Sequence, residues 1–163
     1  MQITENMLSG ARKALSRWTL DRAHRLAKDV GFSYEPVSEG YPETYEAVAE
    51  EFRQCNAARR GFRVWAGASD KTIYTSAEAN WAFRYIHDVY HAAFRHDFTT
   101  AGEFATAVRH VDEVSKAFGA DSLEARLIWI DTVGQVQHFA ETGGFIDDQL
   151  QYARDRLASL VLL

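Results

Sequence analysis

Proline is nearly absent from this chain. Only Pro36 and Pro42 occur in 163 residues, so everything after residue 42 can run helical without an obligatory backbone break. The clearest helix starts lie in that stretch. Thr75-Ser76-Ala77-Glu78, Thr100-Ala101-Gly102-Glu103 and Asp121-Ser122-Leu123-Glu124 all have capping-box spacing, with the cap accepting from a backbone N–H and the acidic residue three positions on reaching back to it. They predict helices over 76–96, 101–118 and 122–141. Gly143-Gly144 breaks the chain, and Asp147 opens a final helix to about Leu160. The terminal Leu160-Val161-Leu162-Leu163 reads as a helix end docked on the body or on a partner.

The first half is less regular. Residues 3–30 read as one or two helices, with Leu8, Ala11, Leu15 and Trp18 on one stripe and Leu20, Ala23, Leu26 and Ala27 continuing it. Residues 31–42, GFSYEPVSEGYP, read as a loop. A helix follows from Glu43 to Arg60, with Tyr45, Val48, Ala49 and Phe52 inward and Gly61 ending it. In 62–75, Phe62, Val64 and Ala66 alternate with Arg63 and Trp65, and Ile73 marks a second β-prone run across a Gly67-Ala68-Ser69-Asp70 turn. That pattern predicts a short β-hairpin packed on helices. The expected architecture is mainly α: a single helical domain spanning 1–163, of about six helices, with a short β-hairpin near residues 62–75.

Composition narrows the function. With 47% hydrophobic residues and 13% aromatics the chain can bury a sizeable core. The formal charge of −5 is interspersed, and the densest basic group, Arg53, Arg59, Arg60 and Arg63, reads as a solvated helix end, so nucleic acid is not the expected partner. Cys55 stands alone, which excludes an internal disulfide and suits a reducing compartment. It reads as a structural thiol. The opening MQITENMLSGARK lacks the apolar run of a secretory signal, and no stretch reaches membrane-spanning length, so a soluble cytoplasmic protein is expected.

The chemistry centres on His87-Asp88-Val89-Tyr90-His91. Two imidazoles four residues apart on a helix project from one face, close enough to share a divalent ion. At about 100° per residue they lie at the rim of the apolar face formed by Phe83, Ile86, Tyr90, Ala93 and Phe94. On the helix from Ser122, the same arithmetic puts Glu124, Asp131, Gln135 and His138 on one polar strip with apolar residues on both sides. Such a helix reads as buried all round, and a buried carboxylate needs a cation, a donor or a raised pKa. If the strips face each other, His87, His91, Asp131 and His138 become the metal ligands, with Asp88 and Gln135 acting on a bound water or the substrate. Nitrogen donors favour Zn²⁺, Fe²⁺ or Mn²⁺ over Ca²⁺. The plainer alternatives are a structural hydrogen-bond network for the histidines and Asp131, and capping alone for Glu103 and Glu124. His24 reads as a surface residue and His96 as a helix-end cation. His110, two turns from Glu103, reads as a surface contact or a further wall of the cleft.

Three resemblances bear on this segment. His87–His91 is similar to the H-E-x-x-H of zincin peptidases, with Asp88 where the general-base Glu stands and no third-ligand motif at the familiar spacing. HD phosphohydrolases carry H…HD…D, which His24, His87-Asp88 and Asp131 resemble in order. The run FRYIHDVYHAAFRHDFTTAGE, with IWIDTVGQVQHF and GGFIDDQ after it, resembles uncharacterised helical proteins of bacteriophages and other mobile elements. Over about residues 76–150 it shares with them an HD-x-x-H core, a downstream G-E and a later D-x-x-G-Q. That resemblance implies an accessory phage or prophage role and supplies no reaction.

Two functions follow as expectations. One is a metal-dependent hydrolase acting on a small phosphorylated substrate or nucleotide. The other is a non-enzymatic phage accessory protein that binds a host protein, with the polar strips as a structural network and Trp65 and Tyr74 as contact residues. Either is compatible with an oligomer.

Overall fold

The computed structural model describes residues 3–160, without the side chain of Leu160. The rest of the terminal Leu-Val-Leu-Leu run lies outside them. Helix α1 (Glu5–Val30) is one rod, capped by the Thr4 hydroxyl and ended by Gly31 in the left-handed region. Strand β1 (Tyr34–Val37), helix α2 (Tyr45–Ala58) and strand β2 (Phe62–Trp65) follow. Then come α3 (Ala77–Phe94), α4 (Thr100–Phe118) and α5 (Leu123–Trp129). A π-helical stretch, Ile130–Gly134, joins α5 to α6 (Gln135–Thr142) in a single rod, and α7 (Gln149–Leu160) closes the described chain. The protein is mainly α, with six helical rods and a two-stranded sheet among the described residues. None of its described helices is long and apolar enough to cross a membrane.

The sheet is not a hairpin. β2 forms as the alternation in 62–65 predicts, but it pairs in parallel with β1, with Tyr34 opposite Phe62 and Val37 opposite Trp65. Parallel strands need a crossover, and α2 supplies it. Pro36 fits here because a two-stranded sheet is all edge, where a missing N–H costs little. The Ile73 run is not a strand because its backbone is satisfied otherwise. Arg12 of α1 donates to the carbonyls of Thr72, Ile73 and Tyr74 at 2.8–3.2 Å, and the Ser16 hydroxyl accepts from the Thr75 N–H. Ile73 and Tyr74 are thereby buried in the core.

Two apolar clusters form that core. Leu8, Leu15, Ile73, Val114, Leu127, Ile128 and Leu157 make one. Leu26, Phe32, Val48, Phe62, Val64, Tyr85, Ile86 and Val89 make the other. Helices α1 and α3 contribute to both and pack on each other, tying the clusters together.

The basic group near residue 60 has a structural task. Helix α2 ends at Arg59, which takes the left-handed conformation in place of Gly61. Arg60 and Arg63 then turn inward and clamp the buried Glu51 with forked contacts of 2.6–2.9 Å. Cys55 is buried beside them, its thiol pushed up to about 11 by burial.

Candidate metal centre

All three capping boxes are displaced by one residue. Ser76, Thr99 and Ser122 are the caps, accepting from the N–H groups of Ala79, Gly102 and Ala125. The slip matters most at α4. With Thr99 as cap, Gly102 takes the N3 place, and Glu103 moves one position further, away from any capping duty. A β-carbon on Gly102 would lie 2.0 Å from the Asp97 carbonyl oxygen, so glycine lets the loop from Arg95 cross the first turn of α4 closely. The carboxylate of Glu103 thus faces α3.

There it meets both histidines. The Nε2 atoms of His87 and His91 are 3.0 Å apart, and Glu103 Oε2 is 3.4 Å from each. Among the described residues these three form a group whose ligand atoms all lie within 4.8 Å of one another. A tetrahedral ion with bonds of ~2.0–2.1 Å separates its donors by about 3.3 Å, and a six-coordinate ion with the same bonds needs about 3.0 Å. The triangle fits either. His91 is fully buried and His87 and Glu103 are half-buried, leaving one side toward solvent.

The outer partner of His91 fixes which of its nitrogens is available. His91 Nδ1 lies 2.7 Å from the carbonyl oxygen of His96, just beyond the C-terminus of α3. Only a proton on Nδ1 satisfies that contact, which leaves Nε2 to face the cluster. His87 Nδ1 lies 3.3 Å from Nε2 of the buried His110. Phe98 packs its edge on His91, with ring centroids 4.8 Å apart.

Charge follows this geometry. Burial opposes ionisation of Glu103, but contacts with His87 and His91 outweigh it and hold the carboxyl well below the usual range. Burial also opposes the His87 imidazolium, and the Glu103 contact again wins, so its pKa is raised. Burial lowers the pKa of His110, and the charges of His87 and His91 add to that. Asp88 is half-buried, with its carboxyl pushed up to about 6 by burial against the charges of His87 and His91. It makes no ion pair with Arg84, whose guanidinium bonds the carbonyls of Trp65, Gly67 and Ala68 and covers the Trp65 ring.

The group that could hold a metal therefore differs from the sequence expectation in its second half. His87 and His91 converge as the spacing predicts, and Glu103 joins them where Asp131 and His138 were expected. The strip on the later helix assumes a constant 100° per residue, and the π-helical stretch breaks that constancy. Asp131 is buried in that stretch, and its charge is felt at His87 and Arg84, but it stands outside the three-residue group. Its Oδ1 has no hydrogen-bond partner, and burial pushes the carboxyl up to about 7. The Gln135 amide donates to the Asp131 backbone carbonyl at 3.1 Å. His138 sits one turn further on with its ring on Tyr152, 6.0 Å between centroids. The rod is buried only as far as Gly134, since α6 contains no fully buried residue. His24 is exposed on α1, outside the group that the H…HD…D resemblance would assemble.

Sequence reasoning ranks Glu103 behind capping as a ligand candidate, because the capping-box position of the Gly102-Glu103 pair offers a complete local explanation for the carboxylate. No family model, curated protein or solved structure matches the chain.

Proposed function

We propose that the protein binds a divalent transition metal through His87, His91 and Glu103 and uses it to hydrolyse a small phosphorylated substrate or nucleotide. The observation that carries this reading is the triangle of His87 Nε2, His91 Nε2 and Glu103 Oε2, with sides of 3.0, 3.4 and 3.4 Å. Two nitrogens and one carboxylate oxygen suit Zn²⁺, Fe²⁺ or Mn²⁺. Such an ion lowers the pKa of bound water toward ~7 and offsets charge on a phosphoryl oxygen. One carboxylate ligand leaves the site a net positive charge for an anionic substrate, and the half-exposed side admits it. We assign Asp88 and Asp131 as the carboxylates that take the water proton, and Gln135 as a substrate contact. Their support is electrostatic and local: the charges of both carboxylates act on His87, and Gln135 bonds the Asp131 backbone.

Metal analysis of purified protein is the first test. Near-stoichiometric Zn, Mn or Fe is expected, lost in the H87A/H91A double variant and in E103A, with release of phosphate from small phosphoesters or nucleotides by the loaded wild type. A folded wild type that takes up none of these metals sinks the reading.

One observation favours a second reading, the phage accessory protein that binds a host protein. Phe145 is 78% exposed and packs at a tilt against the half-exposed Phe139, 4.9 Å between centroids. Exposed paired phenyl rings mark contact surfaces. Of the aromatics that the sequence suggests as contacts, Tyr74 is buried and Trp65 is engaged by Tyr41 and Arg84. A biological effect that survives E103A but not F139S/F145S selects this second reading.

A further inference from the structure

We propose that His110 is the positioning residue of the metal centre: it accepts the His87 Nδ1–H through its own Nε2 and so holds His87 in the tautomer whose Nε2 is free to ligate. The inference rests on the metal reading above and extends it to a residue outside the ligand triangle.

His87 presents Nε2 to His91 and Glu103. An imidazole that ligates through Nε2 carries its proton on Nδ1, and that proton needs an acceptor when the ring is shielded from water. For His91 the acceptor is the His96 carbonyl. For His87 the atom in the corresponding place is His110 Nε2, at 3.3 Å. Carboxylates and backbone carbonyls are the common acceptors in this role, and here an imidazole occupies it.

The surroundings of His110 hold its ring for that task. It is 3% exposed and lies against three rings. Phe83 is 5.0 Å away between centroids, Tyr90 is 5.1 Å and His87 itself is 5.5 Å. Tyr90 is fixed in turn, because its hydroxyl donates to Glu113 at 2.6 Å and accepts from Arg22 at 2.7 Å. The planes of His87 and His110 are within 10° of parallel. Position on the helix agrees: His110 is seven residues after Glu103, two turns along the same face of α4. One helix therefore supplies both the carboxylate that joins the triangle and the group that aims His87 into it. The opposite arrangement, with His110 Nε2–H donating to His87 Nδ1, would put the His87 proton on Nε2 and block the site.

The test separates these two arrangements. Long-range ¹H–¹⁵N spectra of the metal-free wild type are expected to show His87 protonated at Nδ1, and His110 protonated at Nδ1 with a bare Nε2. The reverse pattern overturns the proposal. Titration with Co²⁺ as the probe then reads the consequence. H110F keeps a planar ring without an acceptor and is expected to weaken Co²⁺ binding about 10- to 100-fold. H110Q offers an amide oxygen near the old Nε2 position and is expected to recover part of that loss, a rescue that packing alone would not produce. If H110F does not fold, H110Q and the wild-type spectra decide. Co²⁺ binding that is tight in the wild type and unchanged in H110F removes the role of His110 and leaves the metal reading standing. No Co²⁺ binding by folded wild type removes both.

Discussion

Glu51 and Asp131 are buried to nearly the same degree, 3% and 5% exposed, and the protein treats them in opposite ways. Glu51 is saturated. Arg60 and Arg63 each fork onto its two oxygens, and the Arg63 backbone N–H adds a further bond. Burial would raise its pKa, yet these contacts hold it well below the ordinary carboxylate range. Asp131 has one oxygen without a partner, and burial carries it up to about 7. The charges that act on it are those of His87, in the proposed metal centre, and of Arg84, which is committed to backbone carbonyls. A polar group that serves the fold is closed off by its partners, as Glu51 is. A buried carboxylate left open costs stability, and that cost is characteristic of sites kept for chemistry.

The sharpest way to break this contrast is at the triangle. Replacing Glu103 by Ala is expected to weaken metal binding beyond the ~100-fold typical of outer partners, because it removes a ligand outright. The metal-free protein should also lose some stability at pH 7, because the contacts with His87 and His91 that hold the Glu103 carboxyl below its ordinary range go with it. If calorimetric titration finds E103A and wild type alike, Glu103 belongs with Glu51 as a structural residue.

Next comes Glu51→Gln. It removes charge-assisted bonds at a buried site, but both arginines are partly exposed and can turn to water, so a loss of about 2 kcal/mol is expected at pH 7. The sign with pH is fixed. A carboxyl whose pKa is depressed on folding contributes stability fully above its unfolded value of ~4.3, and that contribution fades as the pH drops below it. Urea unfolding at pH 7 and pH 3 should show the gap between wild type and E51Q narrowing in acid. A constant gap contradicts the clamp.

The smallest effect has the opposite sign. A carboxyl whose pKa is raised on folding destabilises above its folded value, about 7 for Asp131, and not below its unfolded value of ~3.9. Asp131→Asn is therefore expected to stabilise the protein by about 1 kcal/mol at pH 8, to give no gain near pH 3.5, and to slow hydrolysis. Destabilisation at pH 8 would mean that Asp131 is as well partnered as Glu51.

These residues also show what could be read from the chain. His87 and His91 were legible because their relation is local: four residues on one helix fix a shared face whatever surrounds it. The caps were legible in kind but one residue off. That single slip hid Glu103, since a carboxylate with a complete local explanation invites no search for a distant one. β1 was hidden by Pro36 and by a partner lying beyond an entire helix. Arg60 and Arg63 looked like a solvated end because nothing in their neighbourhood announces that Glu51, on the preceding helix, is buried. His138 was misplaced by extrapolating a regular helix through a stretch that is not regular.

That stretch, Ile130–Gly134, has a consequence of its own. A π-turn accommodates a surplus peptide unit within an otherwise ordinary α-helical rod, so the rod contains length it could give up. Removing one residue there would let the ladder close into plain α-helix and swing all of α6 by roughly a quarter-turn about its axis. The anchored side carrying Asp131 and the outward side carrying Phe139 are thus geared separately, and a single-codon deletion is enough to re-aim one against the other.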